Sequence, residues 1–417
     1  MERVRIVILG GGFGGVKTAL LLSKKLKKQA VDIILVNQNS YQVYTPSLYE
    51  VATAYRGTEL SQNDVQEQDF KGEIGAAIAF DLAHIFSKTP VQVIVDVVAG
   101  VDVVKQQVHL KKGGVLEYTY CVVALGSRTA YFGVEGAEQN AVALKDLHSA
   151  FAVRDLIKDA VKQVKTTQQP ATVAIVGAGL AGFEVATEIV TYIKHLVHTH
   201  SIDREKIHIA LIEARNEALS ACSDRVCQQA RHRLYHLGVE LKTNAKIVKV
   251  EKHNIIFNNN SSMEVAGVVW GGGVQCLYLK EMIKGDVLFE SSGQIRVTEF
   301  LNLPKYNNVF AIGDCSFSEG APNTAYIAEQ QAVRVAQNIA LLIHKKPLLE
   351  YKPQNADFVV SSAGGKYALA DVYFFCCGFS GWLIKRVIDF RYLLSIYPLG
   401  TAFKMWYKGV KLFSKND

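Results

Sequence analysis

The residues with the most specific chemistry in this chain form two glycine-rich turns. Residues 10–15 read Gly-Gly-Gly-Phe-Gly-Gly and residues 177–182 read Gly-Ala-Gly-Leu-Ala-Gly, so each fits the pattern G-x-G-x-x-G. In this pattern the first glycine makes a tight turn, the second lets the backbone approach a pyrophosphate, and the third lets a helix pack on a strand. The N-terminal end of that helix attracts the phosphates. Two such turns predict two bound dinucleotides.

Each turn lies where a predicted strand meets a predicted helix. The first turn follows the apolar run Arg3–Leu9 and precedes a helical stretch, Val16–Lys28, and a second strand, Val31–Val36. The second turn follows the strand Thr172–Val176, and its helix leads to the strand Ile207–Ile212. Strand, turn, helix and strand in this order form a βαβ unit. The sequence therefore predicts an α/β fold with two Rossmann-like dinucleotide-binding domains.

The residue after the second strand of each unit distinguishes the two sites. In the second unit it is Glu213, whose carboxylate can accept hydrogen bonds from an adenosine ribose and repels a 2′-phosphate. This favours NADH over NADPH, although Arg215 lies two residues further on. In the first unit the position holds Asn37, which departs from the usual acidic residue but can still bind a ribose hydroxyl.

A third landmark lies late in the chain. The apolar run Val309–Ile312 ends at Gly313 and Asp314, and Pro322 precedes a long helical stretch, Thr324–Ile343. Asp314 is predicted to hold a ribityl or ribose hydroxyl. The N-terminal end of the helix can supply positive potential to a flavin ring and stabilise its anionic reduced form.

Composition excludes several classes of protein. Hydrophobic residues make up 49% and charged residues 20% of the chain, which favours buried cores and excludes global disorder. No apolar run reaches the roughly 18 residues of a membrane-spanning helix, and the longest candidate is Val372–Ile384. A strand that starts at Arg3 leaves no room for a targeting peptide. Seven scattered cysteines fit a reducing cytoplasm, and no Cys/His set has zinc spacing, so no metal is expected.

The end of the chain is basic, with eight Lys and Arg residues and three Asp and Glu residues between positions 366 and 417. Two helices, separated at Pro398 and Gly400, are predicted there, each with an apolar face. Their apolar positions are Leu383, Val387, Phe390 and Leu394, then Phe403, Trp406, Val410 and Phe413. Beside these lie Lys385, Arg386 and Arg391, then Lys404, Lys408, Lys411 and Lys415. Such helices are predicted to lie on an anionic bilayer; the alternative is packing on the protein's own domain or on a dimer partner.

Two glycine turns with a late Gly-Asp resemble the two-dinucleotide-binding flavoproteins, and the chain most resembles the type II, non-proton-pumping NADH:quinone oxidoreductases. Tyr44–Ala52 resembles that family's segment beside the isoalloxazine, and Val268–Val274 resembles its Trp-x-x-Gly-Val signature. Ala325–Gln330 resembles its quinone-site motif Ala-Gln-x-Ala-x-Gln, with Tyr326 in place of the first Gln.

The resemblance implies that hydride passes from C4 of NADH to N5 of FAD, and that two electrons then reach a membrane quinone without proton pumping. Glu184 stands where the family keeps a glutamate near the nicotinamide and the quinone, so it is a candidate for proton handling or for orienting substrate. Gln330 is predicted to donate to a quinone carbonyl, and Lys366 to supply a further positive donor.

The motifs and the resemblance together predict the cofactor contacts. For FAD they are Gly10, Gly12, Phe13, Gly14, Gly15, Asn37, Gln38, Thr45, Pro46, Ala124, Leu125, Gly126, Gly313, Asp314 and Ala325. For NADH they are Gly177, Gly179, Leu180, Ala181, Gly182, Glu213, Gly272 and Gly273.

The expected organisation follows the same order along the chain. Residues 1–165 and 286–345 form a discontinuous FAD domain, 166–285 an NADH domain, and 346–417 a membrane-surface anchor region. We expect a homodimer bound peripherally, as a monotopic protein, to the cytoplasmic face of the cell membrane. No nucleic-acid partner is expected, because the lysines of residues 24–28 are interpreted as the exposed end of a helix.

Two alternatives stay open at this point. Sulfide:quinone oxidoreductases share the expected fold but need redox cysteines beside the flavin, usually one at the second glycine turn, and residues 177–182 contain none. Disulfide reductases carry Cys-x4-Cys shortly after the first βαβ unit, and residues 37–100 contain no cysteine. Cys315, Cys376 and Cys377 keep the sulfide:quinone alternative open, although each also fits a buried thiol. The second alternative is a flavoprotein that binds NADH chiefly as a redox sensor or as a partner-binding module.

Overall fold

Helices and strands alternate along most of the chain, as an α/β fold requires. The computed structural model describes residues 3–56 and 64–414. Its helices are α1 (Phe13–Lys25), α2 (Leu48–Thr53), α3 (Asp64–Ile78), α4 (Leu82–Phe86), α5 (Ala137–Asn140), α6 (Leu147–Thr167), α7 (Leu180–His200), α8 (Asp224–Leu237), α9 (Tyr278–Met282), α10 (Ala325–Ile343), α11 (Phe379–Ile396) and α12 (Leu399–Phe413). Among these described helices, none is long and apolar enough to cross a bilayer.

A six-stranded, mostly parallel sheet supports the first glycine turn. Its strands, in spatial order, are Asn302–Leu303, Tyr306–Ala311, Tyr120–Val123, Val4–Leu9, Val31–Asn37 and Val91–Val95. The strand Val4–Leu9 is internal, and Val7 pairs with both Ile34 and Cys121. Its residues from Ile6 onward are fully buried, as is typical of parallel strands covered on both faces. Because parallel strands end at one sheet edge, the late Gly-Asp pair lies at the same edge as the first glycine turn.

A five-stranded parallel sheet supports the second glycine turn. Its strands, in spatial order, are Ala141–Ala143, Gly267–Trp270, Ala171–Val176, Ile207–Ile212 and Glu240–Lys242. The strand Ala141–Ala143 joins this sheet although it lies within residues 1–165, which the sequence analysis assigned to the first domain. The helix α6 that follows begins with a capping box, in which the Asp146 side chain accepts from the Ser149 N–H at 2.8 Å.

Smaller sheets flank these two. A four-stranded sheet contains Ile283–Lys284, Val98–Asp102, Gln107–Leu110 and Val115–Glu117, and a three-stranded sheet contains Ile247–Val250, Asn254–Phe257 and Ser262–Glu264. Three strand pairs are Tyr41–Val43 with Ala79–Asp81, Arg128–Thr129 with Val274–Gln275, and Ile295–Arg296 with Ser316–Phe317. Short 3-10 helices lie at Thr45–Ser47, Arg204–Lys206 and Gly313–Cys315.

The chain after residue 346 contains a sheet that the sequence analysis did not predict. Its antiparallel strands are Val359–Ser362, Ala368–Asp371 and Phe375–Gly378. Part of the apolar run Val372–Ile384 is therefore a strand and not a helix. Arg233 of α8 donates to the carbonyl oxygens of Ala363 and Gly364, both at 2.8 Å. These bonds fasten the C-terminal sheet to the unit that contains the second glycine turn.

The helix α11 is oriented differently from the sequence-based expectation. The apolar side chains Leu383 and Val387 are 50% and 58% exposed, whereas Lys385 and Arg386 are only 4% and 5% exposed. Lys385 and Arg386 therefore point into the protein while Leu383 and Val387 point outward, whereas Arg391 stays exposed as expected. Pro398 separates α11 from α12 as predicted, but Gly400 lies inside α12 instead of breaking the chain between them.

Candidate active site

The first glycine turn forms a surface that fits a pyrophosphate. A β carbon on Gly15 would lie 1.9 Å from the carbonyl oxygen of Gly10, so this glycine is required for packing. A β carbon on Gly12 would meet no atom within 4 Å. Because Gly12 directly precedes α1, it faces open space at the positive end of a helix. The N–H of Gly11 donates to Oδ1 of Asn37 at 2.8 Å, which fixes the turn against the next strand.

The second glycine turn repeats this arrangement. A β carbon on Gly182 would lie 1.8 Å from the carbonyl oxygen of Gly177, whereas one on Gly179 would meet no atom within 4 Å. The N–H of Ala178 donates to Oε2 of Glu213 at 2.7 Å, in the same way as Gly11 donates in the first turn. Both turns therefore leave their middle glycine facing open space, and both are shaped to receive a dinucleotide.

The side chains after the second strands are hydrogen-bonded to the protein. Nδ2 of Asn37 donates to the carbonyl oxygen of Asn39 at 2.8 Å. Oε1 of Glu213 accepts from the N–H of Arg215 at 2.9 Å. The Arg215 guanidinium donates to the Ser220 hydroxyl at 3.2 Å. Asn37 and Glu213 thus occupy equivalent positions that shape the turns, and their contacts with a ribose stay predictions.

The remaining predicted NADH contacts surround the second turn. Leu180 and Ala181 begin α7, and both side chains are exposed. A β carbon on Gly177 would lie 2.6 Å from Cα of Gly272, so the two glycine segments touch. Gly273 follows with a φ of +84°, in the region that favours glycine. The structure therefore brings both predicted glycine segments together at one edge of the five-stranded sheet.

The segment Ala124–Gly126 lies beside the first turn. A β carbon on Gly10 would lie 2.2 Å from the carbonyl oxygen of Ala124, whereas one on Gly126 would meet no atom within 4 Å. Three groups of the other predicted FAD contacts lie at helix starts: Phe13 and Gly14 begin α1, Thr45 and Pro46 form the 3-10 helix before α2, and Ala325 begins α10. Gln38 is exposed after Asn37, and Leu125 packs against the core. The predicted set therefore lies around the N-terminal ends of α1, α2 and α10.

A polar cluster at this edge includes residues that the sequence analysis missed. The Ser127 hydroxyl donates to Oδ2 of Asp314 at 2.6 Å and accepts from Nζ of Lys145 at 2.9 Å. The N–H of Gly313 donates to Oε1 of Gln331 at 2.6 Å. Ser127 directly follows a predicted contact, so its position in the sequence could have indicated it. Lys145 lies on a separate connection, and no local pattern points to it.

Glu184 lies in the second turn of α7, close to the second glycine turn. Its Oε1 accepts from the Ser361 hydroxyl at 3.3 Å and from the Ser362 N–H at 3.2 Å, both on the first strand of the C-terminal sheet. Burial raises the pKa of Glu184 to about 8, although the ammonium of Lys385 and the two hydrogen bonds oppose the rise. At neutral pH the carboxyl therefore holds its proton.

A buried ionic cluster lies between α2 and α11. Arg386 contacts Oε1 of Glu50 at 2.5 Å and Oδ2 of Asp389 at 3.4 Å. The same Asp389 oxygen lies 3.3 Å from Nζ of Lys385, and its other oxygen accepts from the Tyr44 hydroxyl at 2.7 Å. Burial alone would raise the pKa of the Glu50 carboxyl, but the charges of Arg386 and Lys385 and the hydrogen bonds from Arg386 and Ser47 together hold that pKa below its usual value.

This cluster borders a small cavity of about 40 Å³. The cavity lies between α11 and α12 on one side and the end of α3 on the other, and Tyr44, Glu50, Arg386, Asp389 and Trp406 contribute to its lining. A space of this size holds only a few water molecules and no quinone ring.

The two other predicted catalytic residues lie in different surroundings. Lys366 is exposed in the connection between two strands of the C-terminal sheet, whereas Lys385 is buried and acts electrostatically on Glu184. Oε1 of Gln330 accepts from the N–H of Gln354 at 3.0 Å, and its Nε2 donates to the carbonyl oxygen of the same residue at 2.8 Å. In this structure Gln330 thus fastens the segment after α10, and its contact with a quinone stays a prediction, as does that of Lys366.

Four of the seven cysteines, Cys315 among them, are buried. All seven are free. Cys315 is buried, its Sγ donates to the carbonyl oxygens of Val123 at 3.3 Å and Ile312 at 3.2 Å, and burial raises its pKa to about 11. A thiol of this kind is protonated and unreactive at neutral pH. Cys376 and Cys377 are half-buried on the last strand of the C-terminal sheet. Among the described residues there is also no cluster of three or more metal-ligating side chains.

Comparison with known proteins gives the same architecture. The family model described as pyridine nucleotide-disulphide oxidoreductase matches residues 4–332. The chain is 29% identical to the type II NADH:quinone oxidoreductase Ndh of Mycobacterium tuberculosis over 430 residues, which cover 97% of this chain and 88% of that protein.

Two solved structures share the fold. NDH2 from Plasmodium falciparum in complex with NADH superposes with a TM-score of 0.79 at 17% identity, over 98% of both chains. The sulfide:quinone oxidoreductase from Aquifex aeolicus superposes with a TM-score of 0.75 at 18% identity, over 98% of this chain and 92% of that one. At these identities the two likenesses concern the fold alone.

Proposed function

The chain belongs to the pyridine nucleotide-disulphide oxidoreductase family, and on that premise we propose that it is a type II NADH:quinone oxidoreductase. It transfers a hydride from NADH to FAD and two electrons onward to a membrane quinone, without pumping protons. The observation that carries this proposal is the half-buried carboxyl of Glu184, which lies beside the second glycine turn and accepts hydrogen bonds from Ser361 and Ser362. A carboxyl that holds its proton near neutral pH suits a reaction that consumes protons.

The two glycine turns supply the cofactor sites. The open surfaces at Gly12 and Gly179 support FAD on the first turn and NADH on the second. When bound, FAD accepts a hydride and passes electrons on singly or in pairs. Asn37 and Asp314 orient the FAD hydroxyls, while Glu213 favours NADH because its carboxylate repels a 2′-phosphate.

Reduction of a quinone to a quinol consumes two protons. Because the pKa of Glu184 is about 8, this residue can deliver a proton to a quinone oxygen at neutral pH. Its hydrogen bonds from Ser361 and Ser362 orient the carboxyl. Gln330 donates to a quinone carbonyl after its two hydrogen bonds with the Gln354 backbone break. Lys366 adds a positive charge near the quinone.

The outward face of the C-terminal helices supports attachment to a membrane surface. The exposed apolar side chains of this face are Phe379, Leu383, Val387, Leu394, Leu399, Phe403 and Tyr407. Tyr373 and Phe374, in the preceding hairpin, are 83% and 62% exposed and extend this face. Aromatic and aliphatic side chains beside lysines bind the interface of an anionic bilayer. This face supports a peripheral, monotopic attachment, and we propose in addition that the protein is a homodimer at the cytoplasmic face of the membrane.

The division of the chain follows from the same assignment. We propose an FAD domain over residues 1–165 and 286–345, an NADH domain over 166–285 and an anchor region over 346–417, except that the strand Ala141–Ala143 belongs to the sheet of the NADH domain and the strand Ile283–Lys284 to a sheet of the FAD domain. The C-terminal sheet within the last segment supports a second task for it, because Ser361 and Ser362 reach Glu184. The anchor region thereby couples the membrane surface to the reaction site.

The test is anaerobic quinone reduction by the purified, FAD-loaded, detergent-solubilised protein, with NADH, NADPH and sulfide as alternative donors. We expect rapid turnover with NADH, slower turnover with NADPH and none with sulfide. Reduction of the flavin by NADH followed by no electron transfer to any quinone would instead favour the redox-sensor alternative. Turnover with sulfide and none with NADH would overturn the proposal and assign the chemistry to the cysteines.

A further inference from the structure

The Lys385 ammonium acts electrostatically on the Glu184 carboxyl, yet among the described residues its ion pair is with Asp389 and not with Glu184. Within the described part of the chain, the carboxyl of Glu184 accepts only neutral donors, the hydroxyl of Ser361 and the N–H of Ser362. The Lys385 ammonium instead lies 3.3 Å from Oδ2 of Asp389, one turn further along α11, and 5.5 Å from the centre of the Tyr49 ring. Lys385, the cation that could neutralise Glu184, is therefore already paired with the Asp389 carboxylate.

Both buried cations of α11 already have carboxylate partners. Arg386 pairs with Glu50 and Asp389, and Lys385 pairs with Asp389. Glu188 adds a further carboxyl near Glu184, because both accept hydrogen bonds from Ser362. An ionised Glu184 would thus lack an ion-pair partner in a half-buried site.

We propose that Asp389 is a positioning residue that holds the ammonium of Lys385 away from Glu184 and so keeps the Glu184 carboxyl in its proton-carrying form. This inference rests on the proposed function, in which that proton is used. It explains why an acid sits inside the membrane-facing helix α11, next to two buried cations. Asp389 contacts Lys385, Arg386 and the Tyr44 hydroxyl, and in this proposal its effect on the reaction is transmitted through Lys385.

Other charged or titratable groups also face Glu184. From α2 they are Tyr49 and Glu50, from α11 Lys385, and from α7 itself Glu188. Glu188 accepts from the Ser362 hydroxyl at 3.2 Å and from the Gly365 N–H at 3.4 Å. The acids among these groups oppose ionisation of Glu184, so the position of the Lys385 ammonium decides how easily Glu184 loses its proton.

The test compares Asp389→Asn with Lys385→Gln in the full-length, FAD-loaded protein. The infrared carbonyl band of the protonated carboxyl, identified as the band absent from Glu184→Gln, is followed against pH without NADH or quinone. Asp389→Asn frees Lys385 to pair with Glu184, so we expect the midpoint of the band to fall by about 1–3 pH units. Lys385→Gln removes the cation, so we expect the midpoint to rise. The alkaline limb of kcat for quinone reduction should move in the same directions.

Two further variants separate positioning from a general structural effect. In the double variant with Asp389→Asn and Lys385→Gln, the midpoint should equal that of Lys385→Gln alone, because Asp389 acts only through Lys385. Asp159→Asn removes the carboxylate of an exposed pair on α6, 3.7 Å from Lys162, and should leave the midpoint unchanged.

An unshifted midpoint in Asp389→Asn, with activity lowered equally at every pH, would overturn the inference. If Asp389→Asn does not fold, Lys385→Gln decides the matter, since an unchanged midpoint there would show that Lys385 does not act on Glu184. The infrared titration needs no turnover. A protein that titrates as expected but reduces no quinone would therefore contradict the proposed function and not the role of Asp389.

Discussion

Replacing Arg386 with methionine is expected to destabilise the protein by about 3–5 kcal/mol. The guanidinium is buried and contacts Glu50 at 2.5 Å and Asp389 at 3.4 Å. Methionine retains the packing of the aliphatic stem, so the lost free energy comes from the two carboxylates that lose a partner. Removing one member of a buried ion pair leaves an uncompensated charge and is strongly destabilising. Replacing both members by apolar residues often changes the stability little.

The assay is urea unfolding of the FAD-loaded protein, followed by far-ultraviolet circular dichroism at neutral pH. Lys162→Met is the matched control, because Lys162 and Asp159 form a pair whose side chains are 51% and 75% exposed. Its cost should be at most about 1 kcal/mol. A double variant of Glu50→Gln with Arg386→Met should recover part of the loss, since it removes both members of the buried pair.

The difference in the free energy of unfolding between wild type and Arg386→Met should depend on pH in a definite direction. The pKa of Glu50 is lowered in the folded protein from the ordinary value of 4.5, so the pair stabilises the fold above that pH. The stabilisation is lost as the pH falls through the folded pKa, and the gap between wild type and Arg386→Met should narrow there. A loss below about 1 kcal/mol at neutral pH, or a gap that widens in acid, would refute the reasoning.

The remaining predictions concern the two turns, the acid and the outer face. Gly179→Ala should fold normally but raise the KM for NADH at least tenfold, because its β carbon occupies the open surface of the second glycine turn. Gly182→Ala should unfold more readily in urea, because its β carbon would lie 1.8 Å from the carbonyl oxygen of Gly177. Glu184→Gln should lower quinone turnover while flavin reduction by NADH, measured by stopped flow, persists. It should also gain stability relative to wild type between pH 5 and 8, because a folded pKa raised to about 8 means that wild type loses stability as the pH rises. Leu383→Glu with Val387→Glu should reduce cosedimentation with anionic liposomes at unchanged urea stability, because both side chains are exposed.

Each of these has a result that would contradict it. An unchanged KM for NADH in Gly179→Ala would show that the dinucleotide does not bind at the second glycine turn. A loss of flavin reduction in Glu184→Gln would assign that residue to NADH binding and not to proton delivery. Unchanged liposome binding by the double glutamate variant would show that the exposed apolar side chains of α11 do not bind the membrane.

Much of the site was readable from the sequence, because its signals are local. The glycine spacing at residues 10–15 and 177–182 predicts the turns, and the structure gives the middle glycine of each the expected open surface. Asn37 and Glu213 occupy equivalent positions because each ends the second strand of its unit. These features depend on residues that are neighbours in one βαβ unit, so spacing alone determines them.

The orientation of α11 could not be read in the same way. Its pattern shows that apolar and basic residues lie on different faces, but periodicity does not say which face turns inward. The outcome depends on Glu50, far away in the chain, whose buried carboxylate attracts Arg386. The basic residues of α11 were expected to be exposed, but Lys385 and Arg386 are buried and only Arg391 is exposed.

The sequence by itself determined the α/β class, the two dinucleotide turns and the identity of Glu184 as the acid beside the second one. Only the tertiary structure decided how that acid is held. The Ser361 hydroxyl, the Lys385 ammonium and the Asp389 carboxylate come from a C-terminal sheet and helix that lie 177 or more residues further along the chain. Long-range packing, burial and charge pairing set the pKa of Glu184, and these depend on distances in space that no local pattern of residues records.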